Sequence, residues 1–302
     1  MTESEILDRV RRRVAIPRSS GVLVGMGDDC AVFRPHGAKE DLLFTTDLLL
    51  EGVHFERATH GPRVIGRKAL ARGLSDIAAM GGDPLFCLVS LAAPKSAPPA
   101  WIDQFYAGLL NLAGSTKTVL AGGDLARADR ITCDIVVAGS VPAGRALRRD
   151  GARPGDAVYV SGTLGGSALG LQTKKGRAWK RHLYPEPRLA LGRFLRRKLG
   201  ATSAMDLSDG LSLDLQRLCL ASNVSAEIEP PPCYPGATLA QALHGGEDYE
   251  LLFTVPPRAR VPARFENLPL TRIGAMVRGP AGRVLESGRP LAPLGYDHFR
   301  RS

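Results

Sequence analysis

The chain has 302 residues, of which 44% are hydrophobic and 23% are charged, a composition typical of a globular protein with substantial cores. Its longest apolar run, residues 85–93, is too short to span a membrane, and residues 1–5 lack the basic and apolar order of a secretory signal. We therefore expect a cytoplasmic protein without a membrane partner. The net charge of +10 invites a nucleic-acid interpretation. The basic runs contain few aromatic residues and no nucleic-acid-binding motif, so we expect no nucleic-acid partner.

The first part of the chain places an acidic pair after a short helix. Residues 5–15 alternate charged and apolar side chains and predict an amphipathic helix. Residues 25–30 then place Asp28 and Asp29 directly after two glycines. Two adjacent carboxylates repel each other unless a cation offsets them, and oxygen ligands favour a hard ion such as Mg²⁺. A polar surface turn is the competing interpretation of this stretch alone.

Further acidic residues follow in the predicted elements of the first half. The apolar run 41–50 predicts a strand with three adjacent oxygen ligands, which are Thr45, Thr46 and Asp47. Residues 64–80 and 100–112 predict helices on either side of a strand at 85–92. Asp76 lies in the first of these helices among small and apolar neighbours, where a carboxylate is usually capped or bonded to a metal. Residues 118–124 predict a strand that runs into a Gly-Gly turn with Asp124 at its end.

The Arg- and Gly-rich segment 144–155 looks like a joint between two halves. We therefore predict two α/β domains, 1–145 and 146–302. In the second half, strands are predicted at 157–160, 251–255 and 271–277 and a helix at 187–199, while the basic segment 175–182 is expected to be exposed. The predicted fold class is α/β with mixed sheets.

Acidic residues thus recur at glycine turns or at the ends of predicted elements. The set comprises Asp28, Asp29, Asp47, Asp76, Asp124, Asp206 and Asp209, with Glu247 and Asp248 in a further Gly-Gly segment. Strand ends in α/β folds converge on the ligand cleft. Many carboxylates in one cleft would bind several Mg²⁺ ions, which a polyphosphate substrate requires.

Seven motifs occur in an order and spacing that resemble the thiamine-monophosphate kinase family. They are Gly-Met-Gly-Asp-Asp-Cys-Ala-Val, Thr-Thr-Asp-x₃-Glu-Gly-Val-His-Phe, Leu-Ser-Asp-Ile-Ala-Ala-Met-Gly, Gly-Gly-Asp, Asp-Leu-Ser-Asp-Gly, Gly-Gly-Glu-Asp-Tyr-Glu-Leu and Gly-Tyr-Asp-His-Phe. The resemblance covers about residues 20–299. The enclosing superfamily includes aminoimidazole ribonucleotide synthetase and selenophosphate synthetase, which share the two-domain architecture and ATP use.

The resemblance implies ATP-dependent phosphorylation of thiamine monophosphate to thiamine diphosphate. It also implies a homodimer in which the N-terminal, ATP- and Mg²⁺-binding sheets form a barrel at the interface, and a C-terminal sheet with flanking helices. By motif, the Mg²⁺ ligands would be Asp28, Thr45, Thr46, Asp47, Asp76, Asp124, Asp206 and Asp209. ATP would contact Tyr106, Gly123, Asp124, Arg149 and Ser208, and thiamine monophosphate would contact His54, Glu247 and Tyr296.

Three residues depart from the family pattern: Val53, Gly73 and Leu125. The histidines outside the motif of His54, namely His36, His60, His182 and His298, are expected to be structural or surface residues.

The predicted chemistry needs no general base, and none is assigned. The acceptor is a phosphate monoester with a second pKa of about 6, so its attacking oxygen is largely deprotonated at neutral pH. The obstacle is repulsion between two anions, which metal ions and in-line positioning relieve. We therefore expect direct transfer without a phosphoenzyme. Two alternatives stay open: another ATP-using synthetase of the superfamily, and a non-enzymatic basic nucleic-acid-binding protein.

Overall fold

The computed structural model describes residues 2–299 and folds them around two β-sheets. The helices are α1 (Glu3–Arg11), α2 (Pro62–Ala79), α3 (Pro99–Thr116), α4 (Gly166–Thr173), α5 (Gly176–Leu183), α6 (Leu189–Phe194), α7 (Leu211–Ser222) and α8 (Leu239–His244). The first-half strands are β1 (Val22–Val24), β2 (Ala31–Phe33), β3 (Glu40–Leu50), β4 (Asp83–Ala93), β5 (Val119–Arg127) and β6 (Thr132–Pro142). The second-half strands are β7 (Ala157–Ser161), β8 (Ser203–Asp206), β9 (Ser225–Ile228), β10 (Leu251–Val255), β11 (Arg264–Phe265), β12 (Leu268–Val277), β13 (Val284–Glu286) and β14 (Arg289–Pro290).

The N-terminal sheet has the strand order β1-β2-β3-β6-β4-β5. Its pairs are antiparallel except β4 and β5, which run parallel. Alternate residues of β4, among them Cys87, Val89 and Leu91, are buried on one face, while Leu88 and Ser90 are exposed on the other. The sheet is therefore covered on one face and open on the other, and it is not closed within one chain.

Helices α2 and α3 cover the buried face of this sheet. Proline occupies the first turn of each helix, where its missing N–H has no partner to lose. The two helices cross in close contact because Gly66 of α2 lies against the backbone of α3, and Gly108 of α3 lies against the backbone of α2. A Cβ atom at Gly66 would lie 1.9 Å from the carbonyl oxygen of Phe105, and one at Gly108 would lie 1.9 Å from that of Arg63. This close packing fixes the inner face of α2, which carries Asp76.

The C-terminal sheet has the order β14-β13-β9-β12-β7-β10-β8, and β11 pairs with β12. All pairs are antiparallel except β9 and β13. Strand β8 ends at Asp206, and a loop of four residues leads from it into α7. This arrangement brings the end of β8 against the C-terminal part of α2, where Ser75 donates a hydrogen bond to Asp206 (2.6 Å).

Most predicted helices and strands are confirmed, with three corrections. The first helix ends at Arg11 rather than residue 15. The prediction of a Gly-Gly turn before Asp124 is wrong. Gly122 and Gly123 continue β5, because they pair with the parallel strand β4. The basic segment 175–182 forms most of α5 and is only partly exposed, since His182 is buried.

The helices of residues 2–299 are too short or too polar to span a membrane.

Candidate active site

A cleft of about 940 Å³ lies between the two halves of the chain. Its walls come from the turn at 25–29, strand β3, the loop at 53–60 and helix α2 on one side. On the other side they come from α4, the loop after β8, the segment 246–249 and the tail at 296–298. The cleft therefore collects residues from almost every acidic motif in the sequence.

Three carboxylates meet in this cleft. Oxygen atoms of Asp29, Asp76 and Asp206 all lie within 4.8 Å of one another. Each comes from a different element: the turn before β2, the last full turn of α2, and the end of β8. The acids are thus contributed by both halves of the chain.

The electrostatics of the cluster call for a cation. Burial, followed by repulsion from Asp29, raises the pKa of Asp28 to about 7. Burial also raises the pKa of Asp76 and of Asp206 well above the usual range, and neighbouring carboxylates add to the effect. One carboxylate oxygen of Asp29, Oδ2, is buried without a hydrogen-bond partner. Closely spaced carboxylates that include a buried oxygen without a partner are a donor set that a hard divalent ion stabilises.

The protein supplies one cation to this cluster itself. The guanidinium Nη2 of Arg149 donates to Asp29 Oδ1 (2.6 Å), and the Arg149 backbone N–H donates to Asp28 Oδ2 (3.1 Å). Arg149 lies in a short 3₁₀ turn between the two sheets. It therefore ties the acidic turn of the N-terminal half to the C-terminal half.

Strand β3 divides its three predicted ligands between two faces. The hydroxyl of Thr45 donates to Asp76, and Asp47 accepts a hydrogen bond from Arg72 Nη2 (3.0 Å), so both contact α2. Thr46 instead donates to Asp134 Oδ1 (2.8 Å) on β6. This separation follows from the alternation of side chains along a strand.

The loop after β8 is organised by the acid Asp214. Its carboxylate accepts the backbone N–H groups of Asp209 and Gly210, both at 3.0 Å, at the start of α7. The side chain of Asp209 is therefore free of a capping role and forms an ion pair with Arg217. Ser208 and Asp209 both line the cleft.

The three residues predicted to contact the acceptor also line the cleft. The Nδ1 atom of His54 accepts the backbone N–H of Leu50 (3.0 Å), and burial lowers the pKa of His54 to about 4. Its ring lies 5.2 Å from that of His298, which in turn contacts Tyr296. Glu247 pairs with Lys68.

Tyr106, Gly123 and Asp124 line a separate depression of about 600 Å³ beside β5. In a single chain, none of these three residues lines the cleft. Strand β5 is an edge strand, and its residues from Ala121 to Arg127 are all exposed.

Several cleft residues were missed from the sequence. His60, His182 and His298, expected to be structural or surface residues, line the cleft, and His60 and His182 are buried there. Arg72 and Arg217 each pair with a predicted metal ligand. Lys68 gave a usable signal, because it is a basic residue on a side of α2 that also carries the apolar residues Val64 and Ile65. The histidines gave none, because their neighbours are distant in sequence.

The fold and cleft define a class of protein. Residues 27–141 match the family model "AIR synthase related protein, N-terminal domain", and residues 153–286 match "AIR synthase related protein, C-terminal domain". Solved structures of the hydrogenase maturation protein HypE, one of them in complex with ATP, share this fold at 17% identity, with a TM-score of 0.66 over 87% of both chains for the ATP complex.

More similar proteins narrow the class. Thiamine-monophosphate kinase of Escherichia coli K12 is 39% identical over 92% of both chains, and that of Bacillus subtilis is 35% identical over 99% of this chain and 100% of its own. The structure "AaThiL complexed with AMPPCP and TMP" is 32% identical over 99% of this chain and 97% of its own, with a TM-score of 0.86. The chain belongs to the thiamine-monophosphate kinase family.

Proposed function

We propose that the protein transfers the γ-phosphoryl group of ATP to thiamine monophosphate, forming thiamine diphosphate and ADP in the cytoplasm. The observation that carries this proposal is the meeting of Asp29, Asp76 and Asp206 at one point of a cleft between both halves. A related structure contains AMPPCP, an ATP analogue, together with TMP. Two anionic substrates need such a concentration of metal-binding acids.

The residues of the cleft fit Mg²⁺. The three carboxylates that meet there, those of Asp29, Asp76 and Asp206, offer oxygen ligands only, and the buried Oδ2 atom of Asp29 has no hydrogen-bond partner. Asp29, Asp76 and Asp206 would hold one ion, and the nearby Asp28 and Asp47 extend the acidic surface. When bound, Mg²⁺ neutralises charge on the phosphates. Asp124 lies in the separate depression beside β5. It would join this set where a bound nucleotide spans the depression and the cleft, or where a second subunit places its own β5 beside the cleft.

The protein's own groups orient the two substrates. Arg149 and Arg72 present guanidinium groups to the cleft beside the acids, where they can bind phosphate oxygens. The acceptor phosphate is already deprotonated at neutral pH, so no side chain has to remove a proton. Its oxygen forms a bond to the γ-phosphorus of ATP while the bond from that phosphorus to the β,γ-bridging oxygen breaks. We propose in-line transfer with no phosphorylated enzyme; trapping a phosphoaspartate or phosphohistidine during turnover would contradict it.

Turnover of thiamine monophosphate tests the function. The wild-type protein with Mg²⁺ and ATP is expected to form thiamine diphosphate and ADP in equal amounts. Asp47→Asn and Asp124→Asn are both expected to lose nearly all activity, because the first deletes a charge in the cleft and the second a charge that the proposed dimer would bring next to it. Asp103→Asn, on the exposed face of α3, is the matched control and keeps full activity. If both variants kept full activity, these two acids would have only a structural role and would not act on the metal or the phosphates.

We also propose that the protein is a homodimer whose N-terminal sheets face each other. The open face of this sheet exposes Leu48 and Leu88, with 47% and 38% of their surface accessible. Thr46, Val136, Leu88 and Gly122 form a continuous row of paired residues across four strands. An uncovered face of this kind favours burial against a second copy.

Light scattering tests the dimer. The wild-type protein is expected at twice the mass of one chain, and Leu88→Glu is expected at the mass of one chain with unchanged helix content, because a buried unpaired carboxylate is unfavourable at an apolar interface. Leu110→Glu, an exposed position of α3, is the control. A monomeric wild-type protein would contradict the proposal.

A further inference from the structure

The segment that carries Glu247 is held in an unfavourable backbone conformation. Glu247 and Tyr249 have φ angles of +63° and +50°, in the left-handed region that side chains other than glycine disfavour. Two backbone hydrogen bonds fix them: Glu247 N–H to the Ser208 carbonyl (2.7 Å) and Tyr249 N–H to the Leu207 carbonyl (2.9 Å). Such strain persists where surrounding contacts enforce it, and it concentrates at functional sites.

Lys68 supplies one of these contacts from the opposite half of the chain. Its ammonium group lies 2.9 Å from both carboxylate oxygens of Glu247, and only 1% of the Lys68 side chain is accessible. Burial alone would raise the pKa of Glu247, but the positive charge of Lys68 holds it below its usual value. Glu247 is therefore a carboxylate at neutral pH despite its surroundings.

His182 supplies a second contact through its Nδ1 atom, which lies 3.3 Å from Glu247 Oε2 and 2.9 Å from Ser167 Oγ. Burial lowers the pKa of His182 to about 4, so the ring is neutral. A neutral ring beside a carboxylate carries its proton on Nδ1, leaving Nε2 to accept from Nε2 of His60 (3.4 Å). His60 Nδ1 then accepts from the hydroxyl of Thr59 (3.0 Å). This series of hydrogen bonds fixes the orientation of the His182 ring.

We propose that Lys68 and His182 are positioning residues that aim the carboxylate of Glu247 at the cationic organic part of the acceptor, and thereby set acceptor affinity. The inference rests on the proposed function. Glu247 keeps 24% of its side chain accessible and lines the cleft, whereas Lys68 is enclosed behind it. Its carboxylate has lone pairs beyond those used by Lys68 and His182. The thiazolium ring of thiamine carries a fixed positive charge, which a carboxylate in a partly dry cleft stabilises.

Steady-state kinetics of Lys68→Met, His182→Phe and Glu247→Gln test the inference. Each is expected to raise KM for thiamine monophosphate about tenfold or more, because a charge-assisted contact is lost. The KM for ATP and kcat are expected to stay within about threefold, since Glu247 does not touch the transferred group. Arg67→Met is the matched control: Arg67 precedes Lys68 in α2 and also pairs across the two halves, with Glu186 (2.8 Å), so its loss leaves KM unchanged.

The double variant Lys68→Met with Glu247→Gln separates positioning from folding, because it leaves no unpaired charge buried. Its KM for the acceptor is expected to match that of Glu247→Gln alone, since either change removes the same contact between Glu247 and the acceptor. For an uncharged thiophene isostere of the acceptor, the KM of Glu247→Gln should differ from that of the wild type by less than about threefold. Additive KM effects, a parallel rise in KM for ATP, or an unchanged KM in all variants would overturn the inference. Failure of wild-type turnover would instead overturn the proposed function and the inference with it.

Discussion

Replacing Asp76 by asparagine is expected to lower turnover of thiamine monophosphate by about 10² to 10³-fold and, at the same time, to stabilise the metal-free protein. Turnover falls because Asp76 belongs to the cluster of three potential metal ligands, contributed by both halves, that residues 2–299 form. Stability rises because burial and three nearby acids make the ionised form of Asp76 costly, as its raised pKa shows. The gain should be about 1–3 kcal/mol.

Thermal unfolding in EDTA and in Mg²⁺ measures both sides of this prediction. In EDTA the Tm of Asp76→Asn should exceed that of the wild type by roughly 2–6 °C, given the usual scaling for chains of this size. Added Mg²⁺ should raise the wild-type Tm more than that of the variant, because an ion that binds only the folded state stabilises it. Asp103→Asn should behave like the wild type under both conditions. A lower Tm for Asp76→Asn in EDTA would mean that its carboxylate already has a stabilising partner.

Replacing Arg149 by methionine is expected to have the opposite effect on stability. Arg149 is the guanidinium that pairs with Asp29, and it lies near Asp28. Removing one partner of a buried ion pair costs about 3–5 kcal/mol, because it leaves the other charge unpaired. We therefore expect a Tm lower by roughly 6–10 °C in EDTA at pH 8.

The loss should depend on pH and on metal. The pKa of Asp28 is already about 7 with Arg149 present. Lowering the pH from 8 to 6 protonates this carboxyl in the folded protein and reduces the repulsion, so the Tm difference from the wild type should shrink. Mg²⁺ should also restore part of the stability. Arg149→Lys, which keeps the charge but not the planar guanidinium, should fall between the two. A Tm loss independent of both pH and Mg²⁺ would contradict this account.

The acidic residues at glycine turns and element ends predicted a cleft rich in carboxylates. They did not indicate which of these carboxylates lie within ligand distance of one another. Asp28 and Asp29 are adjacent, and only the turn geometry decides which one faces Asp76 and Asp206. Similarly, Thr45, Thr46 and Asp47 formed one apparent ligand set, and all three line the cleft, but Thr46 donates to Asp134 on β6 whereas the other two contact α2. Local patterns identify the residue types of a site, whereas the choice among neighbours depends on backbone direction.

Long-range pairing explains the clearest error of the sequence interpretation. Gly122 and Gly123 have the composition of a turn, but β4 pairs with both of them and with Asp124 in a parallel ladder. Tertiary pairing overrides such local preferences in strands. The contacts of Lys68 with Glu247 and of His60 with His182 join residues 179 and 122 positions apart. No periodicity within either segment indicates such contacts.

Binding of Mn²⁺, followed by electron paramagnetic resonance, tests the central claim that acids of both halves jointly hold a divalent ion. The wild-type protein without substrates is expected to bind Mn²⁺ competitively with Mg²⁺. Asp29→Asn in the N-terminal half and Asp206→Asn in the C-terminal half should each lose the same site, while Asp103→Asn keeps it. Equal stoichiometry and affinity in all four proteins would contradict the claim.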